Sequence, residues 1–355
     1  MFPNLEINIK GIIYNANKMN DICKENNIKL SVVTKVLAID EKVVKALVDS
    51  GIEFICESRI QNLMAYSDIE VEKWLIREPM ISEIPDVIKY SDVSLNSEIK
   101  TIKELDKEAK KQNKVHKVIL MYEIGDLREG ANLEELEEII KESIDLKNIE
   151  LYGIGCNLSC YGSIMPDDEN MKELAETTQY LEEKFNIKFK VVSGGNSTSF
   201  EMLKEGILPN KINNLRIGEA IYLGNVPCIE KPIEGFKKDN FILKAQIVEI
   251  KEKPSVPRGT QGLCNSFCEP TKFVDKGIRK RALIAIGKQD INISGLMPID
   301  TDIEVLGGSS DYTILDITDS KNNYSVGDIV SFNVNYPILL GAMSSNYIYK
   351  TYIEK

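Results

Sequence analysis

One histidine serves the whole chain of 355 residues. It is His116, in KVHKVIL at the start of an apolar, strand-like run, a poor place for imidazole acid–base chemistry. Zinc chemistry is excluded with it. The cysteine pairs Cys156/Cys160 and Cys264/Cys268 are each four apart, not CxxC, so no metal site is expected. The seven cysteines form an odd number without a dense framework and read as free thiols of a reducing cytoplasm. No apolar run reaches the ~18–20 residues that span a bilayer. The start, MFPNLEINIKG, lacks the basic head and apolar core of a signal peptide, so no membrane partner is expected. Basic residues are outnumbered 44 to 55, for a net charge of −11, and no basic patch stands out. Nucleic acid is therefore not an expected partner. Any reaction must use lysine, tyrosine, cysteine, carboxylates or a cofactor.

What is present is a regular alternation. Eight short runs rich in valine and isoleucine recur over the first 225 or so residues: 30–37, 53–56, 73–76, 92–96, 115–124, 150–158, 189–195 and 212–220. Several of the stretches between them have helical spacing. EKVVKALVDSG closes on Gly51, a C-terminal signal, and SEIKTIKELDKEAKKQNK opens on Ser97, a candidate N-cap. Repeated βα units favour a parallel sheet covered by helices, and eight of them favour a closed barrel. An open doubly wound sheet is the alternative, but no GxGxxG follows the first strand. After residue 228 strand-like runs follow one another without helices, at 241–252, 279–288, 303–318 and 328–335. The expected fold is α/β: an N-terminal (β/α)8 TIM barrel over 1–228, then a C-terminal all-β domain over 229–355. The first ~10 residues could pack with that second domain.

Active sites of βα barrels lie at the C-terminal ends of the strands. Lys35 follows SVVT directly. A lysine in a semi-enclosed mouth is desolvated, which favours the neutral, nucleophilic amine that a Schiff-base lysine requires. The seventh run ends in SGGNSTS (193–199), where small residues allow close backbone approach and amides with serine hydroxyls can hold phosphate. The eighth supplies Arg216 and, two residues on, Gly218. Together these describe a barrel holding a phosphorylated, imine-forming cofactor, for which pyridoxal 5'-phosphate is the natural candidate.

The segments VTKVLAID, ILMYEIGDLREG, GIGCNLSCYG, ISGGNSTS, NNLRIGEAIYLG, RKRALIAIGKQD, GGSSDYTILD and VGDIV resemble the alanine racemase family of pyridoxal-phosphate enzymes over nearly the whole chain. The resemblance implies an isomerase, a racemase that removes and returns the Cα proton of an amino acid. It implies Lys35 as cofactor carrier and acid–base group, Arg128 at the cofactor phenolate, Asn196 and Ser197 at the phosphate, Arg216 at the pyridine nitrogen, Gly218 beside them, and Tyr336 at the phosphate. Within the group the nearer likeness implies ornithine as substrate, with lysine, alanine or a broad range as alternatives. Asp126, Glu129, Glu219 and Asp311 are candidates for a substrate ammonium.

Four positions depart from the family pattern. Ile39 stands for a tyrosine, Met121 for a carbamylated lysine, Asn157 for a histidine beside the cofactor, and Lys288 for the catalytic tyrosine. Lys288 is the candidate second base, with a Cys264 or Cys268 thiol next. The family takes that group from a partner subunit, which implies a head-to-tail homodimer. Two other readings are a non-catalytic cofactor-homeostasis protein and a decarboxylase on a related barrel. The β domain weighs against the first; Arg216 and the smaller β domain weigh against the second.

Overall fold

The computed structural model describes residues 1–354. Eight parallel strands close into a barrel: β2 (Lys29–Val33), β3 (Phe54–Glu57), β4 (Glu72–Leu75), β5 (Val93–Asn96), β6 (His116–Met121), β7 (Ile149–Gly155), β8 (Val191–Ser193) and β9 (Asn214–Ile217). Each overlaps one of the eight apolar runs, four of them extending one residue beyond it. Strands of a parallel sheet are covered on both faces, which is why they read as near-continuous apolar stretches. Closure joins β9 to β2, with Ser31 opposite Arg216 and Val32 opposite Ile217. Cys56, Trp74, Val93, Leu95, Ile119, Met121 and Val191 form one buried apolar cluster.

The covering helices follow from spacing and caps. Helix Glu41–Asp49 starts where the Asp40 carboxylate accepts from the Val43 amide at 3.1 Å, and the chain leaves it through Gly51 at φ +103°. Helix Leu133–Ser143 has a reciprocal cap between Asn132 and Glu135. Ser97 is not an N-cap. Helix Ile99–Lys111 begins after Glu98, and the Ser97 amide and hydroxyl both donate to Glu78.

The second unit is an eight-stranded sheet built from β1 (Asn4–Asn8), β12 (Phe241–Pro254), β13 (Ile278–Ile284), β14 (Met297–Pro298), β15 (Glu304–Gly308), β16 (Thr313–Asp316), β17 (Ile329–Asn333) and β18 (Tyr349–Ile353). The first strand pairs antiparallel with β12 and parallel with β18. A helix, Tyr336–Ser344, interrupts the strands. Its start, NYPILL, has a capping asparagine and an early proline, and the Asn335 side chain accepts from Ile338 N at 3.2 Å. By contacts, Met1–Gly11 joins Asp239–Lys355, and Ile12–Lys238 forms the barrel unit. The break thus falls at 238, later than residue 228. The intervening stretch carries the hairpin β10 (Asn225–Val226) and β11 (Lys231–Pro232). It is tied to the barrel unit by Phe236 against Phe200, ring centroids 6.2 Å apart, and by Asn15, which bonds Lys237 through both side-chain atoms.

Gly153 permits the close approach of β7 and β8, since a Cβ there would lie 2.5 Å from the Val191 carbonyl oxygen. Gly153→Ala should lower the unfolding free energy by about 2–3 kcal/mol in urea titration. Gly262→Ala, where the nearest atom would be 3.7 Å away, should change it by less than about 0.5 kcal/mol.

Candidate active site

The C-terminal ends of the barrel strands bring together most of the polar residues singled out above. Lys35 stands one residue beyond Thr34, at the head of the short turn Lys35–Leu37. The Thr34 amide donates to Cys56 O at 2.9 Å and its hydroxyl to Glu57 at 2.8 Å, so the ends of β2 and β3 are stitched together directly beneath the lysine. Downstream the buried Tyr66 hydroxyl donates to Ala38 O and accepts from the Asp40 amide at 3.2 Å. The turn carrying Lys35 is therefore held at both ends.

Across the closure, Gly218 directly follows β9. A Cβ on it would lie 2.9 Å from Val33 O, so only glycine fits there without displacing β2. The amides of Gly218 and Ala220 donate to the buried Ser197 hydroxyl at 3.2 and 3.3 Å. The Asn196 side chain accepts from the Thr198 amide at 2.9 Å and donates to Leu158 O at 2.8 Å and to Asn157 at 3.2 Å. Asn157 and Asn196 are thereby locked to each other. Gly195, at φ +100°, lets the chain turn between β8 and this cradle.

Arg216 is buried. Its two terminal nitrogens donate to Ser193 Oγ and, at 2.8 Å, to Cys156 O, both neutral acceptors. Among the described residues no carboxylate forms an ion pair with it. Burial lowers its hold on the proton, with Cys156 and Cys56 the nearest titratable neighbours. A buried guanidinium on neutral partners is costly unless something else accepts from it.

Arg128 lies further out, on a loop that folds back at Gly130 (φ +132°), where a Cβ would meet Glu123 N at 2.7 Å. It forms a two-pronged ion pair with Glu129. Asp126 is buried, and its carboxylate accepts from the amides of Cys160, Tyr161 and Gly162 at 3.0–3.4 Å. It anchors the loop after β7. Glu219 bonds Asn225 and faces the Lys35 charge; desolvation raises its pKa to about 7.

Lys288, Asp311 and Tyr336 belong to the β unit. The Lys288 amide donates to Ser309 O at 2.9 Å, and its side chain pairs with Glu269 and lies 4.4 Å from the Phe267 ring centre. It lines a cleft of about 710 Å³ with Glu269 and Asn292. Asp311 is exposed and accepts from the Ser310 hydroxyl at 2.8 Å. Tyr336 opens the helix Tyr336–Ser344.

Residues 7–226 match the model of the family described as alanine racemase, N-terminal domain. The chain belongs to that family. It is 45% identical to an ornithine racemase of Acetoanaerobium sticklandii over 99% of both chains. It is 38% identical to a lysine racemase of Thermotoga maritima, again over 99% of both. In fold it is similar to an alanine racemase of Clostridium difficile 630, with a TM-score of 0.74 at 20% identity, covering 99% of this chain and 95% of that one. An alanine racemase from Bartonella henselae, solved with covalently bound pyridoxal phosphate, gives 0.73 at 18% identity, covering 99% of each. The expectation of a pyridoxal-phosphate-dependent amino-acid racemase is borne out by membership of the alanine racemase family.

The mouth also fits that cofactor on its own geometry. Ser197 with the Gly218 and Ala220 amides makes a cradle, Gly218 holding its amide there against Val33 where a Cβ would not fit, and among the described residues no carboxylate pairs with Arg216. Two of the family departures have visible consequences. Met121 belongs to the apolar cluster, and Ile39 is 56% exposed.

Two carboxylates at this rim went unread in the sequence. Glu57 is fully buried and accepts from Thr34, Asn62 and the Ser58 amide. Glu78 is half-buried and accepts from Ser97. Desolvation pushes each up to about 7. The usable signal was position: both follow or end an apolar run, where barrel chemistry sits.

A carboxyl raised in the fold costs stability as pH rises from its unfolded value through its folded one. Glu78→Gln keeps an acceptor for Ser97 without the charge. It should raise stability at pH 8 by about 1–2 kcal/mol, after allowance for solvent screening, and change little at pH 5, in thermal melts.

Proposed function

We propose that this chain is a pyridoxal-phosphate-dependent racemase interconverting L- and D-ornithine. The observation that carries the chemistry is the buried Arg216 on neutral partners, at the same strand ends as Lys35 and the Ser197 cradle. The substrate is supported by the 45% identity to an ornithine racemase along essentially the whole of both chains.

When bound, pyridoxal phosphate supplies an electron sink for the charge left on a substrate Cα after proton removal. Lys35 would hold the cofactor's aldehyde carbon through its ε-nitrogen. As a free amine, after the substrate's amine has taken its place, it would remove the Cα proton. Asn196, Ser197 and Gly218 would receive the phosphate, with Arg128 and Asn157 flanking the ring. Arg216 would donate a hydrogen bond to the ring nitrogen without protonating it, because a guanidinium, even with burial lowering its hold on the proton, stays protonated far above neutral pH. Arg216 would thereby favour return of the proton to Cα over loss of the amino group.

Inversion needs a second proton group on the opposite face. Lys288 is assigned here, supplied by the partner in a head-to-tail homodimer. Tyr336 as a phosphate contact rests on the resemblance. Of the acidic candidates for ornithine's second ammonium, Asp126 is committed to three amides and Asp311 to Ser310, whereas Glu219 faces the Lys35 side of the mouth. Glu219 is the favoured partner. All seven cysteines are free, which supports a cytoplasmic enzyme; separately, no helix among the described residues is long and apolar enough to cross a membrane.

The test is incubation of the cofactor-loaded protein with L-ornithine in deuterium oxide, followed by chiral chromatography and mass analysis. Equal amounts of the enantiomers, each with one deuterium at Cα and no carbon dioxide released, are expected, with lysine and alanine turned over more slowly. Absence of D-ornithine, or faster lysine turnover, overturns the assignment. In the same assay Lys288→Met should slow racemisation by roughly a hundredfold or more; an unchanged rate removes Lys288 from the account.

A further inference from the structure

Glu57 is a fully buried carboxylate of the rim that the chemistry above does not use. It ends β3, beside the strand that delivers Lys35. Its oxygens accept only from neutral donors: Thr34 Oγ1 at 2.8 Å, Asn62 Nδ2 at 3.0 Å and the Ser58 amide at 3.2 Å. A buried carboxylate with a merely structural task would be cheaper as glutamine, which offers an acceptor for Thr34 without a charge to desolvate. The cation that faces it is Lys35. The other titratable groups facing it are Cys56 on its own strand and Tyr66 on the helix Ile60–Ala65 side, both neutral in the physiological range because burial raises their pKa, while Lys35 is also faced by Glu219 from the segment after β9, raised to about 7 by burial. Thr34 lies between the two: its side chain bonds Glu57 and its backbone leads directly into Lys35.

We propose that Glu57 is a positioning residue that sets the protonation of the Lys35 nitrogen, acting through charge across the Thr34 bridge. The inference rests on the reading that Lys35 carries the cofactor. A carboxylate in this place favours the protonated nitrogen, the form in which the cofactor-bound carbon is most open to attack by a substrate amine. The same carboxylate helps retain the proton that Lys35 removes from Cα. Desolvation pushes Glu57 up to about 7, so its charge is gained and lost within the physiological range.

The test is a spectrophotometric pH titration of the cofactor-loaded protein, which reads protonation at the Lys35 nitrogen independently of turnover. Replacing Glu57 by glutamine removes the anion, so the midpoint should fall by roughly one unit or more. Glu57→Asp, which keeps the charge, should restore most of the shift. Thr34→Val removes a donor that stabilises the ionised carboxylate and should move the midpoint the same way by less; it also serves if Glu57→Gln does not fold. kcat should fall more than KM rises in Glu57→Gln. A folded, cofactor-loaded Glu57→Gln, or in its place Thr34→Val, titrating like the wild type overturns the inference and leaves the racemase reading standing. A wild-type protein that takes up no cofactor at Lys35 overturns both.

Discussion

Closure of the barrel between its first and last strands is the constraint on which the rest depends. The pairing of Ser31 with Arg216 and Val32 with Ile217 brings the end of β2 against the end of β9, segments far apart in the chain. Only through that seam do Lys35 and Gly218 share one rim. The seam is tight: Gly218 tolerates no Cβ against Val33. A barrel opened or slipped there would keep its helices and lose its site.

Charge inside this rim is arranged sparingly. Arg216 rests on neutral oxygens, and Glu57 accepts only from neutral donors. His116, where β6 begins at the far end of the barrel from this rim, is also neutral: burial, with Lys114 and Lys117 nearby, lowers it to about 3, and its ring meets the Ser94 hydroxyl at 2.8 Å. Imidazole is thus absent from the chemistry physically as well as numerically. Full charges in a low-dielectric interior interact over longer distances than at a surface. A guanidinium, an amine and the carboxylates around one mouth can therefore influence one another without touching.

The barrel was legible because parallel strands bury both faces, so each of the eight announces itself as an apolar run. Lys35 and Arg216 were legible because they stand at the ends of such runs. Other features were not, for local reasons. Ser97 had the look of an N-cap, yet the helix begins one residue later, after Glu98, and Ser97 instead donates through amide and hydroxyl to Glu78, distant in sequence. Asp126 reads as a free loop carboxylate, and only the fold brings three amides of the next loop onto it. The helix at Tyr336 is short and apolar, with little amphipathic period to mark it. Glu57 was passed over because the residue ending an apolar run can point inward or outward, and sequence does not say which.

The central claim is that the ε-nitrogen of Lys35 holds the cofactor. Reduction of the loaded protein with borohydride, followed by peptide mapping, addresses it directly. The account predicts a single pyridoxyl-phosphate adduct on the peptide containing residue 35. A protein that stays colourless in the presence of the aldehyde, or one whose reduced adduct sits on another lysine, would contradict it.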